Sequence, residues 1–208
     1  MPFPARTGFI ILAAIAAAGS ATLFFAQTQR PSLVLVDRDG HKTPVGRLPA
    51  HTFAPRISPD GKRVAYDIED GTVWIAELSK AGANLAAPRK ATAGRDHYPM
   101  WSASGDEIVY IVDEKDQQAL YIQRSDGTGA AERLAAARAP ESWSAQNQMI
   151  SFITLSNYYS IWTYSLRDKK ATPLIDTPGV TQHSSRFSPD GKWIAYTSVE
   201  TGDRKSVV

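Results

Sequence analysis

No cysteine occurs in the 208 residues, so no disulfide can staple the fold and its stability must rest on an apolar core. No Asp or Glu precedes residue 31, and 21 of the 23 Lys and Arg lie beyond residue 30. The body of the chain therefore balances 21 basic against 21 acidic residues and is neutral. The sequence pI of about 8.8 suggests a nucleic-acid partner, but a neutral body without a basic run lacks the phosphate-binding footprint. Catalytic signatures are missing too. No G-x-S-x-G elbow is present for a hydrolase nucleophile. "GTGAAE" (127–132) lacks the third glycine of a dinucleotide loop and reads as a hairpin. "DRDG" (37–40) resembles the start of a calcium loop, yet a third acidic ligand is absent and position twelve is Leu48, so it too reads as a hairpin.

What the chain has is repetition. "ISPDGKRVAYD" (57–67) returns as "FSPDGKWIAYT" (187–197), with weaker copies in "MWSASGDEIVYIV" and "SWSAQNQMISFIT" between them. The marker serines Ser58, Ser102, Ser144 and Ser188 are 44, 42 and 44 residues apart. One residue before each stands Ile57, Trp101, Trp143 or Phe187. Six residues after stands Val64, Ile108, Ile150 or Ile194, and eight after stands Tyr66, Tyr110, Phe152 or Tyr196. Three columns keep their chemical type through four copies, which marks a unit that is stacked. Trp101 and Trp143 are expected to fill the space between units. Ser-Pro-Asp-Gly suits a type I turn, with Pro fixing φ and Gly accepting a positive φ at the exit. The residues after it are β-branched and aromatic and alternate as a strand does. Val73–Ile75, Leu120–Ile122 and Ile161–Thr163 supply a third strand, and "SDGTG" or "RDKK" leads to a fourth. Four short strands every ~40–45 residues is the spacing of a β-propeller blade. A helical repeat is excluded by "SPDG", which would break the helix.

The stretch Pro55–Tyr66 resembles the pattern P-x-W-S-P-D-G-K-x-I-A-Y of the WD-like repeats in TolB-type β-propellers, and Arg186–Tyr196 matches it nearly as well. The middle copies depart, with Ala-Ser-Gly (103–105) and Ala-Gln-Asn (145–147) in place of the turn. The resemblance covers residues 31–208. It implies the propeller fold, found in the Tol system, as caps on prolyl-oligopeptidase-like peptidases and as extracytoplasmic ends of bacterial Ser/Thr kinases. The run from Leu33 to Asp67 is similar to the kinase group in particular.

Gly8 to Ala26 is 19 residues without a charge, long enough to cross a hydrocarbon core of ~30 Å as one N-terminal hydrophobic helix. Two readings stand. Residues 1–30 form an uncleaved signal anchor, the favoured one, or a signal peptide cut near Gly19-Ser20-Ala21. The expected location is membrane-anchored with the propeller extracytoplasmic, or secreted or periplasmic if the segment is cleaved.

Candidate binding residues come from the repeat. His97 and His183 both stand five residues before their marker, where the equivalents are Phe53 and Ala139, so a symmetric metal ring is impossible. Arg56 and Arg186 share the position two before the marker. With Asp96 these residues are expected at the channel rim, where ordinary polar-rim and inter-blade hydrogen bonding is the favoured reading and binding of an anionic ligand or a partner's tail the other. The sequence thus predicts an all-β fold over 31–208, with blade repeats near 31–50, 53–96, 97–138, 139–180 and 181–208. The expected role is a non-enzymatic envelope scaffold binding a protein or peptide, without cofactor or metal. The alternative is the propeller part of a larger enzyme, a peptidase cap or kinase sensor. Closure is the remaining question. Leu33–Val36 and Thr43–Leu48 match third and fourth strands, while Ser206–Val208 begins another third strand, so both ends claim one place. Six blades would need about 258 residues at this period. The expectation is an open, truncated arc of about four blades, prone to self-association through its edges.

Overall fold

The computed structural model describes residues 32–78, 86–92, 94–200 and 205–207. The hydrophobic segment at residues 8–26 lies outside these residues. Among those described there is no helix, and hence none long and apolar enough to cross a membrane. The described residues form seventeen strands in five antiparallel sheets. β1 (Ser32–Val36) and β2 (Lys42–Arg47) form a two-stranded sheet. Three four-stranded meanders follow. The first holds β3 (Thr52–Ile57), β4 (Arg63–Ile68), β5 (Thr72–Glu77) and β6 (Ala86–Lys90). The second holds β7 (Asp96–Trp101), β8 (Glu107–Asp113), β9 (Gln118–Arg124) and β10 (Glu132–Ala136). The third holds β11 (Ala139–Ser144), β12 (Met149–Leu155), β13 (Tyr159–Ser165) and β14 (Lys170–Ile175). A three-stranded sheet of β15 (Gln182–Phe187), β16 (Ile194–Ser198) and β17 (Lys205–Val207) ends the series. The first strands adjoin in chain order, β3 to β7 to β11 to β15, as they do around a propeller axis.

The marker serine is the fastener of each turn. The Gly61 amide donates to the Ser58 carbonyl at 2.9 Å, and Gly61 takes φ +70°. Ser58 Oγ accepts the Arg63 amide at 2.9 Å and donates to Asp60 Oδ1 at 2.6 Å. Ser102 Oγ takes the Glu107 amide and Ser188 Oγ the Trp193 amide in the same way. The third repeat lacks the glycine and closes differently, with the Asn147 amide on Ser144 Oγ at 3.3 Å and Gln148 at φ +51°. These serines are turn chemistry, consumed where they stand.

Alternation of buried and exposed residues, expected for the second strand, is not what the inner sheets show. Val64 to Asp67 and Ile108 to Ile111 are buried without a break. Each of these sheets is covered on both faces, so both sides of the strand are buried, Asp67 included. Ala65, Val73 and Ile75 meet Trp101, Ile108 and Tyr110 of the next sheet. Val109, Ile111 and Leu120 meet Ile150, Phe152 and Tyr164 in the layer after it. Leu48 closes the first layer over Val64 and Tyr66. The recurring columns are buried to the extent that a neighbour exists. Trp101 is 7 % exposed, Trp143 and Phe187 are half-buried, and Ile57 is 42 % exposed. Tyr66, Tyr110 and Phe152 are buried, while Tyr196 in the last sheet is half-buried.

Candidate functional site

The innermost strands carry a device that the sequence pattern alone does not announce. Each breaks register with its partner at the same place, between Phe53 and Arg56, His97 and Met100, and His183 and Arg186. Four residues before the marker, Ala54, Tyr98 and Ser184 take φ of +43°, +56° and +61°. A non-glycine residue there costs roughly 1–2 kcal/mol. The third repeat has Pro140 at this position, whose ring forbids positive φ, and its break falls between Pro140 and Ser142. The bulge re-aims the side chains that precede it, among them both histidines and Tyr98.

The five residues expected at a channel rim divide between two junctions. At the first, His97 Nε2 lies 3.2 Å from Asp113 Oδ2, and its Nδ1 is 3.7 Å from Oδ2 of Asp67 in the preceding sheet. The longer contact is an ion-pair distance and no hydrogen bond. Asp67 and then Asp113 hold the imidazole pKa above its ordinary value, against the opposing effect of burial. Asp96 is 3 % exposed, and its Oδ2 accepts the Gly94 amide at 3.0 Å; burial pushes its carboxyl pKa up. Arg56 is exposed at the end of β3, and its carbonyl accepts Trp101 Nε1 at 2.9 Å. At the other junction, His183 Nδ1 pairs with Ser184 Oγ at 2.8 Å. Arg186 Nη1 donates to the carbonyls of Glu141 and Ser185 at 2.5 and 2.7 Å. Asp96 and His97 are thus neighbours, as are His183 and Arg186, and the two pairs serve different inter-sheet joints.

Of the five, His183 alone lines the cavity at the start of β7, β11 and β15. This cavity of about 430 Å³ is walled by Tyr98, Gln118, Arg138, Glu141 and Tyr159 as well. Glu141 is occupied: its two oxygens take the amides of Ser184 and Ser185 and the Ser185 hydroxyl. Arg138 has no carboxylate within 4.0 Å among the described residues. Of the column six residues before the marker, the rim expected from the sequence includes Asp96 alone. That column reads Thr52, Asp96, Arg138 and Gln182, polar in every copy, and it would have drawn attention to Arg138. Elsewhere, Asp37, Asp39 and His41 cluster on the exposed first hairpin, where Asp37 Oδ1 is engaged by the amides of Asp39 and His41. This is the geometry of a capped turn, as read from "DRDG".

No family model matches the chain. Solved structures do. A TolB-assigned protein of Agrobacterium tumefaciens superposes with a TM-score of 0.70 at 20% identity, covering 85% of this chain and 65% of that one. TolB of Acinetobacter baumannii gives 0.55 at 23% identity over 70% of this chain and 38% of its own. A puromycin-hydrolyzing peptidase of Mycobacterium tuberculosis gives 0.57 at 14% identity, over 80% and 30%. At these identities the likeness is one of fold, and it is the TolB-like β-propeller that the repeats resemble. The chain spans less than two-thirds of each of these proteins.

Proposed function

We propose that this chain is a non-catalytic β-propeller of the cell envelope that binds a protein or peptide, held to the membrane through residues 8–26. The observation that carries the reading is the cavity where β7, β11 and β15 begin, which gathers charged, aromatic and amide side chains from three successive sheets. The serine that recurs in each repeat is spent on its own turn, which leaves the cavity suited to recognition rather than to acyl transfer. The TolB-like fold supports an envelope setting. The two outer sheets have two and three strands among the described residues, and their unpaired edges favour self-association. A photo-crosslinking pull-down from envelope extract, with detergent-solubilised full chain as bait, tests the reading. The expected result is one enriched protein, lost when the bait is heat-denatured. Turnover of a peptide-ester panel that disappears on mutating one serine would overturn it.

A second reading makes the chain the propeller of a larger enzyme. It is favoured by the puromycin-hydrolyzing peptidase, of which this chain matches 30% while itself being covered over 80%. A longer form of the chain carrying an α/β-hydrolase or kinase domain would establish it.

A further inference from the structure

The cavity described above does not end at Arg138. Gln118 and Arg138 also line a second cavity of about 270 Å³ beside Asp116, Ala136 and Leu155. Ala136, Thr154, Leu155 and Ser156 pass on into a third, of about 330 Å³, walled by Phe152, Trp162 and Ala171. Shared lining residues make one groove of the three. It runs over the β8–β9 turn, the β10–β11 link and the β12–β13 turn, where the second and third four-stranded sheets meet.

Its two ends differ in chemistry. At the first end stand Arg138, His183 and two tyrosines, of which Tyr98 is 47 % exposed. At the other end the wall is apolar, and Leu155 is 42 % exposed above Trp162. The Glu141 carboxylate is satisfied by Ser184 and Ser185 and does not neutralise the guanidinium. Asp116 also lines the middle cavity and disfavours a second acidic group there. The middle cavity joins the two ends, with both Arg138 and Leu155 in its wall.

We propose that this groove seats an extended peptide segment of a partner protein. One acidic side chain of the segment meets Arg138, and a large apolar side chain of the same segment fills the slot at Leu155 and Trp162. A planar, bidentate contact to carboxylate is what a guanidinium provides. Alternate side chains of a strand-like segment would face the same wall. This rests on the peptide-binding reading and places the site where successive blades meet, in cavities that Arg56 does not line.

A phage-displayed random dodecapeptide library, selected on immobilised full-length protein, provides the test. Recovered peptides should be enriched in Asp or Glu together with Leu, Phe or Trp. By fluorescence anisotropy they should bind Arg138→Gln and Leu155→Ser at least 10-fold more weakly, Arg138→Lys with an intermediate loss, and Arg56→Gln unchanged. Both sites are exposed, and an unaltered thermal midpoint verifies that the variants fold. Selection without acidic enrichment, no selection at all, or equal binding to Arg138→Gln overturns the groove. If the crosslinked partner of the full chain is nevertheless retained by Arg138→Gln, the binding reading survives and the groove alone is wrong. If neither peptide nor partner is captured, both fall.

Discussion

Trp101 joins two blades, and its removal has a magnitude that follows from its surroundings. The indole is 7 % exposed and packs with Ala65, Val73 and Ile75 of the preceding sheet. Its Nε1 donates to the Arg56 carbonyl at 2.9 Å, and the Arg63 guanidinium sits 4.7 Å from the ring centroid. Arg63 is itself fixed by Ser125 Oγ at 3.1 Å and the Gly105 carbonyl at 2.9 Å, so the contact is ordered before it is made. A buried aromatic side chain hides about 150–250 Å², or about 4–6 kcal/mol at 25 cal/mol per Å². That figure is an upper bound because the unfolded chain already hides part of its surface. The lost hydrogen bond adds about 1 kcal/mol and the cation–π contact about 0.5–1 kcal/mol. Trp→Ala changes in cores fall at about 3–5 kcal/mol, and Trp101→Ala is expected within that range. Trp101→Phe keeps most of the area, strands the Arg56 carbonyl, and should cost about 1–2 kcal/mol. Trp143 is half-buried, and its alanine variant should cost roughly half as much as that of Trp101. Urea titration of the full chain by circular dichroism gives these differences directly. A Trp101→Ala midpoint near wild type, or a larger loss for Trp143→Ala, would refute the assignment of Trp101 as the inter-blade anchor.

Four further outcomes are expected. Because the folded pKa of His97 is raised by Asp67 and Asp113, its stabilising contribution is complete below about pH 6.5 and is lost as pH rises through the folded value. The melting-temperature gap between wild type and His97→Gln should therefore narrow from pH 5.5 to 8.5, and a gap independent of pH would contradict this. Gly71 takes φ +74° and a Cβ there would lie 2.9 Å from the Arg95 Cα, whereas Gly40 at φ +84° faces open space. Gly71→Ala should cost clearly more than the roughly 1–2 kcal/mol of left-handed strain expected for Gly40→Ala, and equal losses in denaturant titration would rule the close approach out. Ser102→Ala strips the buried Oγ from the Glu107 amide and should cost about 1–2 kcal/mol, with Ser188→Ala, half-buried, below that; thermal melts showing the reverse order would defeat it. The full chain in mild detergent should sediment as a dimer or larger, and a non-associating monomer with a sharp transition would remove the argument from open edges.

The blade was legible because its signals are local. Ser-Pro-Asp-Gly states a turn, and apolar residues six and eight positions after each marker state a strand, so the four-stranded sheets and their order follow from spacing alone. The third strand at the chain's end was foreseen from Ser206–Val208, and β17 (Lys205–Val207) lies beside β16. The extent of burial was not legible. "VAYD" and "IAYT" share Ala-Tyr after a β-branched residue, yet Tyr66 is buried and Tyr196 half-buried, since coverage depends on the neighbouring sheet and not on the strand itself. The site was less legible still. His97 and His183 share one repeat position, but their partners, Asp67 and Asp113 on one side and Ser184 on the other, come from columns that differ between copies. Arg138 belongs to a column whose four members have four different functional groups, which periodicity cannot rank.

The layers of side chains between successive sheets have a consequence for how the molecule comes apart. A stack in which every unit leans only on its neighbours has energetics of a one-dimensional chain, with separate terms for units and for junctions. The two middle junctions hold the fully covered residues of β8, β9 and β12, among them Ile108, Leu120 and Phe152. Thermal opening should then begin at the terminal sheets and travel inward, and amide exchange should slow in steps from β1 and β16 toward β8 and β12. Such a molecule has a graded melt rather than a single threshold, and whatever seats itself across the two central sheets would be held by the part of the chain that frays last.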